Sequence, residues 1–260
     1  MADYWNQFKT TVEFYVKYRP KYPPALFDLL RGVFTLDGQS RQLDMGCGPG
    51  PLLAPLAPHV GLSVGVDPEE AMLAEARTQV EKAGLTNVRL VHGRDDQLPG
   101  LVREFSPFRI VTMGRSFHWM DRPALLRSLE PILDERGGVA VIDNATKDTP
   151  RRKAIREVLQ KYVPESRSGS RAWQRSPIKH EVIIRPWAKR VEIHRVEWEQ
   201  TRDLEAAIGE TYSRSTSSPE VLGERCAGFE RDLREALLKI QPSGVFVETQ
   251  AVEVICAWPK

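Results

Sequence analysis

The sequence predicts an α/β fold built on a mostly parallel sheet, and three observations carry that expectation. From Gln42 onward, short apolar runs bounded by Gly, Asp or Pro alternate with longer stretches at helical spacing, the pattern of strands joined by crossover helices. A glycine-rich turn, Gly46-Cys47-Gly48-Pro49-Gly50, sits where the first run ends and a helix should begin. Carboxylates stand at the ends of the first two runs, Asp44 and Asp67, and open α/β sheets bind ligands outside the carboxyl ends of their strands.

Taken in order, residues 1–35 form a helical arm, with Tyr15, Tyr18 and Tyr22 around Arg19, a Pro-rich break, and ALFDLL at helical spacing. Residues 36–150 hold the core strands QLDMG, LSVGVD, VRLVHG, FRIVTMG and GVAVID. Between the second and third, EEAMLAEARTQVEKAG follows Asp67-Pro68 and stops at Gly84, a helix with a glycine terminator. Residues 151–190 change character, with many Arg and Lys and a Ser/Gly/Arg stretch at 166–171, and read as an inserted helical cap. Residues 191–260 return to alternation at VEIHRVEWEQT, a helical pattern from Pro219 to Ile240, and VFVETQAVEVICAWP. These last two strands complete the core as a mixed edge.

Composition narrows the function classes. Lys plus Arg at 37 against Asp plus Glu at 35 gives a net charge of +2, too balanced for the phosphate attraction on which most nucleic-acid binders rely. The N-terminal stretch lacks the apolar core of a signal peptide and no run is long enough to span a bilayer, so a cytoplasmic protein without membrane or nucleic-acid partners is expected. Cys47, Cys226 and Cys256 form no CxxC pair, which leaves neither a disulfide framework nor a structural metal site as the expectation.

The glycine turn implies a nucleotide-like ligand, because a side chain there would keep the backbone from approaching it. Its GxGxG spacing departs from the dinucleotide fingerprint, whose third glycine lies further on so that the helix start can hold a pyrophosphate. Asp44 just before the turn would repel a pyrophosphate but suit a cationic amino-acid tail. Asp67, seventeen residues after Gly50, is placed to accept from ribose hydroxyls, which fits NAD as well as other nucleosides. Asp95 and Asp96 follow the third strand.

In this combination the chain resembles the class I S-adenosylmethionine-dependent methyltransferases, in the small-molecule branch that includes the trans-aconitate enzymes. LDMGCGPG is similar to the first motif, VGVDPEEAML to the second, HGRDDQLP to the third, and SFHWMD to the aromatic segment after the fourth strand. PILDERGGVAVID is similar to the helix-turn-strand of that family, with Gly137 and Gly138 in the turn before the fifth strand. The resemblance implies a Rossmann-like, seven-stranded, mostly parallel sheet with helices on both faces. It implies that Gly46, Cys47 and Gly48 lie along the methionine and ribose of S-adenosylmethionine, with Asp44 beside them. Asp67 and Pro68 would meet the ribose, Met72 the adenine face, Asp95 and Asp96 the adenine edge, and Gly114 and Ser116 the sulfonium side. Arg19 would meet the cofactor carboxylate, with Tyr15 and Tyr18 as a lid.

Methyl transfer from a sulfonium needs mainly positioning and exclusion of water. A base helps when the acceptor carries a proton, and His118 is the candidate; the alternative is a structural imidazole. Tyr15, Tyr22, Phe117, Trp119 and Tyr212 are candidate acceptor-lining residues, with core packing as the alternative for the aromatics. Arg151-Arg152-Lys153 and the arginines at 167, 171 and 175 read as a solvated helix face rather than an anionic-substrate clamp. The expectation is an enzyme, monomer or homodimer, methylating a small molecule of secondary metabolism. The alternatives are an NAD-dependent oxidoreductase and a non-catalytic S-adenosylmethionine-binding protein.

Overall fold

A computed structural model describes residues 12–163, 179–214 and 217–260. The arginines at 167, 171 and 175, and the first part of the arm, lie outside the described residues. Seven strands form one sheet in the order β3-β2-β1-β4-β5-β7-β6: β1 Arg41–Met45, β2 Leu62–Asp67, β3 Val88–His92, β4 Phe108–Gly114, β5 Leu133–Asn144, β6 Ala188–Arg202 and β7 Phe246–Pro259. Strands β1 to β5 pair in parallel, and β7 runs antiparallel to β5 through Val139↔Ala257 to Asn144↔Val252. The α/β class and the mixed edge follow the sequence expectation.

The chain divides into two compact units. The core unit takes 21–145, 174–196 and 252–260; the second takes 1–20, 146–173 and 197–251. The core unit carries the helices α2 Pro24–Phe34, α3 Leu53–Leu56, α4 Glu70–Lys82, α5 Arg122–Leu129 and α7 His180–Ile184. Its interior runs from Leu43, Met45, Val64 and Val66 through Val111, Met113, Val139 and Val141 to Ile255 and Ala257, the β-branched and apolar residues that doubly covered parallel strands require. Helix α4 ends as expected: Gly84 takes φ +64°, a conformation that costs little only without a Cβ.

The second unit holds α1 Val12–Tyr18, α6 Pro150–Tyr162, α8 Leu204–Tyr212, α9 Pro219–Leu222 and α10 Cys226–Ile240. Ile155, Val158 and Leu159 of α6 meet Phe229, Leu233 and Leu237 of α10 in its hydrophobic interior. Thr149 caps α6 and Asp203 caps α8, each side chain accepting a backbone N–H of the first turn.

Three expectations from the sequence do not hold. The stretch 151–190 is not one cap: α6 belongs to the second unit and α7 to the core unit, because each buries its apolar face against different partners. The helical pattern from Pro219 to Ile240 breaks at Gly223, where φ is +54°. Gly137 and Gly138, expected in a turn, lie inside β5. A Cβ there would stand 2.6 Å from Phe108 O and 2.4 Å from Ala257 O, so these glycines serve close strand approach.

Candidate functional site

The carboxyl ends of β1, β2, β4 and β5 gather most of the sequence-predicted residues in the core unit. At the end of β1 the chain turns through Gly46, Gly48 and Gly50, at φ +67°, +53° and +87°. The amides of Gly46 and Cys47 donate to Val66 O at 2.8 and 3.0 Å, which pins the turn to the end of β2. A Cβ on Gly46 would lie 2.5 Å from Ser116 Cβ, whereas nothing lies within 4 Å of one on Gly48. The first glycine is therefore required by packing, and the second presents bare backbone to open space.

Two buried carboxylates flank this turn. Asp44 is 1% exposed, its Oδ1 accepting from the Thr112 hydroxyl at 2.7 Å, and burial pushes its pKa up to about 7 against that hydrogen bond, with the Asp67 charge adding to the rise. Asp67 accepts one backbone N–H on each oxygen, from Gly48 at 2.8 Å and Glu69 at 2.9 Å. Burial raises it to about 6 in spite of those two bonds. Each Asp67 oxygen retains a second acceptor site. The neighbouring Cys47 thiol is buried and pushed well up, first by burial and then by the charges of Asp67 and Asp44; it is no nucleophile.

Met72 is buried on α4, and Pro68 O accepts from the His92 ring at 2.9 Å. Asp95 accepts from the Asp121 amide at 2.9 Å and so ties the loop after β3 to the start of α5, and Asp96 is exposed beside Arg94 at 2.8 Å. Ser116 donates to Met45 O at 2.6 Å. Tyr22 receives a hydrogen bond from Arg115 Nε at 3.2 Å, and a Cβ on Gly114 would come within 3.1 Å of its hydroxyl, so Tyr22 stands over the end of β4. Arg115 itself holds φ +57°, a strained conformation for a side chain of its size. Phe117 is fully buried in the core, which gives it a packing role. Trp119 lies beside His118, their ring centres 5.3 Å apart.

Beyond these, the structure joins three residues that sequence order keeps apart. His118, Asp143 and His180 present ligand atoms within 4.8 Å of one another. His180 Nε2 lies 3.3 Å from Asp143 Oδ2, Arg122 Nη1 lies 3.3 Å from His180 Nδ1, and the His118 and His180 rings stack with centroids 6.4 Å apart. An arginine cannot accept a hydrogen bond, so Nδ1 of His180 is the acceptor and its Nε2–H donates to Asp143. That tautomer suits an imidazole–carboxylate pair rather than a metal ligand. Burial alone would raise Asp143, but hydrogen bonds from His180 and Asn144 and the field of His118 hold it below the usual carboxylate value. Asp143 stands at the end of β5 as Asp67 does at the end of β2, so the sequence carries its signal; it carries none for His180 and Arg122.

The remaining candidates lie in the second unit. Arg19 donates through Nε and Nη2 to the hydroxyl and carbonyl of Ser213, both at 3.1 Å, and lies 4.2 Å from the Tyr15 ring centre. Tyr18 packs on Gly209, where a Cβ would come within 2.2 Å of its ring. Tyr212 is a core residue among Ile155, Phe229 and Leu233, its hydroxyl donating to Glu230 at 3.1 Å, and so lines no open surface.

A family model described as a methyltransferase domain matches residues 43–137, the span from β1 to β5. Over that span the chain is similar to a methyltransferase domain. The chain is also 30% identical over 160 residues to a trans-aconitate 2-methyltransferase of Yersinia pestis, covering 58% of this chain and 58% of the relative. An uncharacterized methyltransferase of Schizosaccharomyces pombe is 27% identical over 140 residues, covering 53% and 52%. The chain thus spans under two thirds of these relatives.

Among solved structures, a SAM-dependent methyltransferase from Thiobacillus denitrificans in complex with S-adenosyl-L-homocysteine matches with a TM-score of 0.52 at 14% identity, covering 100% of this chain and 99% of the other. A precorrin 8w decarboxylase from Methanobacterium thermoautotrophicum matches at 0.53 and 14%, covering 94% of each. At such identities the likeness is one of fold, and fold leaves the chemistry to the site.

Proposed function

We propose that this protein transfers a methyl group from S-adenosylmethionine to a small-molecule acceptor. The observation that carries the reading is the pair of buried carboxylates, Asp44 and Asp67, on either side of an open glycine turn. Both are raised by burial, and a cationic ligand would stabilise their ionised forms where a pyrophosphate would be repelled. A ligand with an ammonium, a sulfonium and a ribose matches that pair; a dinucleotide does not.

The residues present fit such a cofactor. Gly46 and Gly48 would lie along its amino-acid and ribose portion, Asp67 would accept from ribose hydroxyls with the lone pairs its backbone bonds leave, and Met72 would cover the base. When bound, S-adenosylmethionine supplies an electrophilic methyl on a good leaving group. Protein residues then hold the acceptor and exclude water. His118 serves as the base for an acceptor proton, with the Asp143 carboxylate stabilising the imidazolium and the His180 hydrogen bond fixing that carboxylate. Tyr22 and Trp119 shape the acceptor side.

The acceptor class is a small carboxylated or aromatic metabolite, in keeping with the trans-aconitate 2-methyltransferases among the relatives. No helix among the described residues is long and apolar enough to cross a membrane, and the three free cysteines suit a reducing compartment such as the cytoplasm. The test is methyl transfer from labelled S-adenosylmethionine across a panel of carboxylic acids, phenols and amines. Turnover of one class that falls at least about 100-fold in His118→Asn, with cofactor binding kept, supports the reading. Turnover unchanged in that variant removes His118 from the chemistry, and no turnover of any acceptor refutes small-molecule transfer.

A further inference from the structure

The second unit gathers more positive charge around one pair of buried carboxylates than that pair neutralises. Arg151 and Arg202 have side chains 2% exposed, and both are set against Glu210 and Glu248, themselves 10% and 8% exposed. Arg151 Nη2 lies 2.7 Å from Glu248, Arg202 Nε 3.0 Å from Glu210, and Arg151 Nη1 3.4 Å from Glu210. Arg152 and Arg214 adjoin the same carboxylates: both feel the field of Glu210, and Arg214 Nη2 approaches it only to 3.9 Å. Four guanidinium groups therefore share two carboxylates among the described residues. Asp148 also acts on Arg152, but its carboxylate is engaged by both Nη atoms of Arg156 at 2.8 and 2.6 Å.

The donor inventory points the same way. Among the described residues, Arg152 Nε and the side-chain nitrogen of the buried Gln250 have no hydrogen-bond partner, and Arg202 Nη1 has a carboxylate only at 3.9 Å. Arg151 Nη2 and Arg202 Nε lie at ion-pair distance from glutamates but off the hydrogen-bonding direction. An arginine cannot shed its proton to escape burial, and a buried charge without a counter-charge is strongly destabilising. Arg214 keeps 37% of its side chain accessible although burial lowers it to about 10. A counter-ion in solvent can therefore reach it.

We propose that Arg151, Arg152, Arg202 and Arg214 form an anion-recognition site for a small molecule carrying at least two negative charges, as carboxylates or phosphate, with Gln250 as an additional donor. Guanidinium forks match the geometry of either oxyacid. The site overturns the solvated-face reading of the basic run 151–153: Arg151 is buried, Arg152 half-buried and only Lys153 exposed. Anion binding here is independent of methyl transfer.

The test is calorimetric titration of the full chain with citrate, succinate and inorganic phosphate at matched ionic strength, in the unmodified protein and in Arg152→Gln and Arg214→Gln. One saturable site per chain, weakened at least about tenfold in both variants, is expected, and the preferred probe tells a carboxylate site from a phosphate site. Phenylglyoxal labelling of the unmodified protein, read by mass spectrometry, avoids reliance on variants: the tightest probe should protect Arg214. Absence of saturable binding by all three anions, binding unchanged in both variants, or equal labelling with and without the probe overturns the proposal. S-adenosylhomocysteine titrated in parallel separates the two readings, since its failure to bind while the anion still binds refutes only the methyl-donor reading.

Discussion

Asp44→Asn removes one charge from the interior and leaves the shape intact. The introduced amide oxygen still accepts the Thr112 proton that Asp44 takes at 2.7 Å. In the native protein, a carboxyl whose pKa is raised from 3.8 to about 7 binds its proton more tightly folded than unfolded. Its contribution to stability is therefore greatest below the unfolded value, falls as pH rises from about 4 to about 7, and stays low above that. Worked through the linkage relation, that contribution has fallen by about 2 kcal/mol at pH 5 and by about 4 kcal/mol at pH 8. An amide nitrogen left without a partner in the same place costs about 1–3 kcal/mol. The variant should then match the native protein near pH 5 and exceed it by about 2 kcal/mol at pH 8, which for a chain of this size raises Tm by about 4–8 °C. Binding of S-adenosylhomocysteine should weaken by at least about tenfold in the same variant, one lost charge–charge contact being worth more than about 1.4 kcal/mol. Thermal melts at both pH values and one titration decide it. A variant that melts below the native protein at pH 8, or that binds as tightly, would refute the reasoning.

Other substitutions separate packing from binding. Gly48→Ala meets no neighbour and should lose only about 1–2 kcal/mol through its φ of +53°, yet abolish cofactor binding; calorimetry beside a melt checks both halves. Gly209→Ala drives a methyl into the Tyr18 ring and should cost about 1–3 kcal/mol, with Tyr18→Ala in the same chain recovering most of it by denaturant titration. Asp143→Asn removes the charge that stabilises the His118 imidazolium and should lower kcat about 10- to 100-fold without changing cofactor affinity, read by steady-state kinetics beside calorimetry. Equal loss of kcat and of cofactor binding would make Asp143 a structural residue.

Legibility in the sequence follows the range of the interactions. Strands β1, β2 and β4 are plain because their residues are buried on both faces and their short apolar stretches close on Gly or Asp. Asp44 and Asp67 are plain because a carboxylate at the end of such a run has no core-packing purpose. His180 is invisible because it reaches Asp143 from 37 residues away. Arg151 reads wrongly because its inward direction depends on Glu248, 97 residues further on, and a charge run on a helix says nothing of what packs against it. Phe117 and Tyr212 carry the same aromatic signal as Tyr22, and only what surrounds each tells the core residues from the one standing over β4. Gly137 and Gly138 look like a turn because the need for glycine comes from Phe108 O and Ala257 O on other strands.

That the glycine turn between Asp44 and Asp67 holds a cationic nucleoside is tested most directly by calorimetric titration of the purified protein with S-adenosylhomocysteine and, separately, NADH, with Asp67→Ala beside it. Saturable binding of S-adenosylhomocysteine at micromolar concentration, weakened by at least about tenfold in Asp67→Ala through loss of a charged ribose acceptor, with no NADH binding, is the predicted result. Binding of NADH alone, or of neither ligand to folded protein, would contradict it.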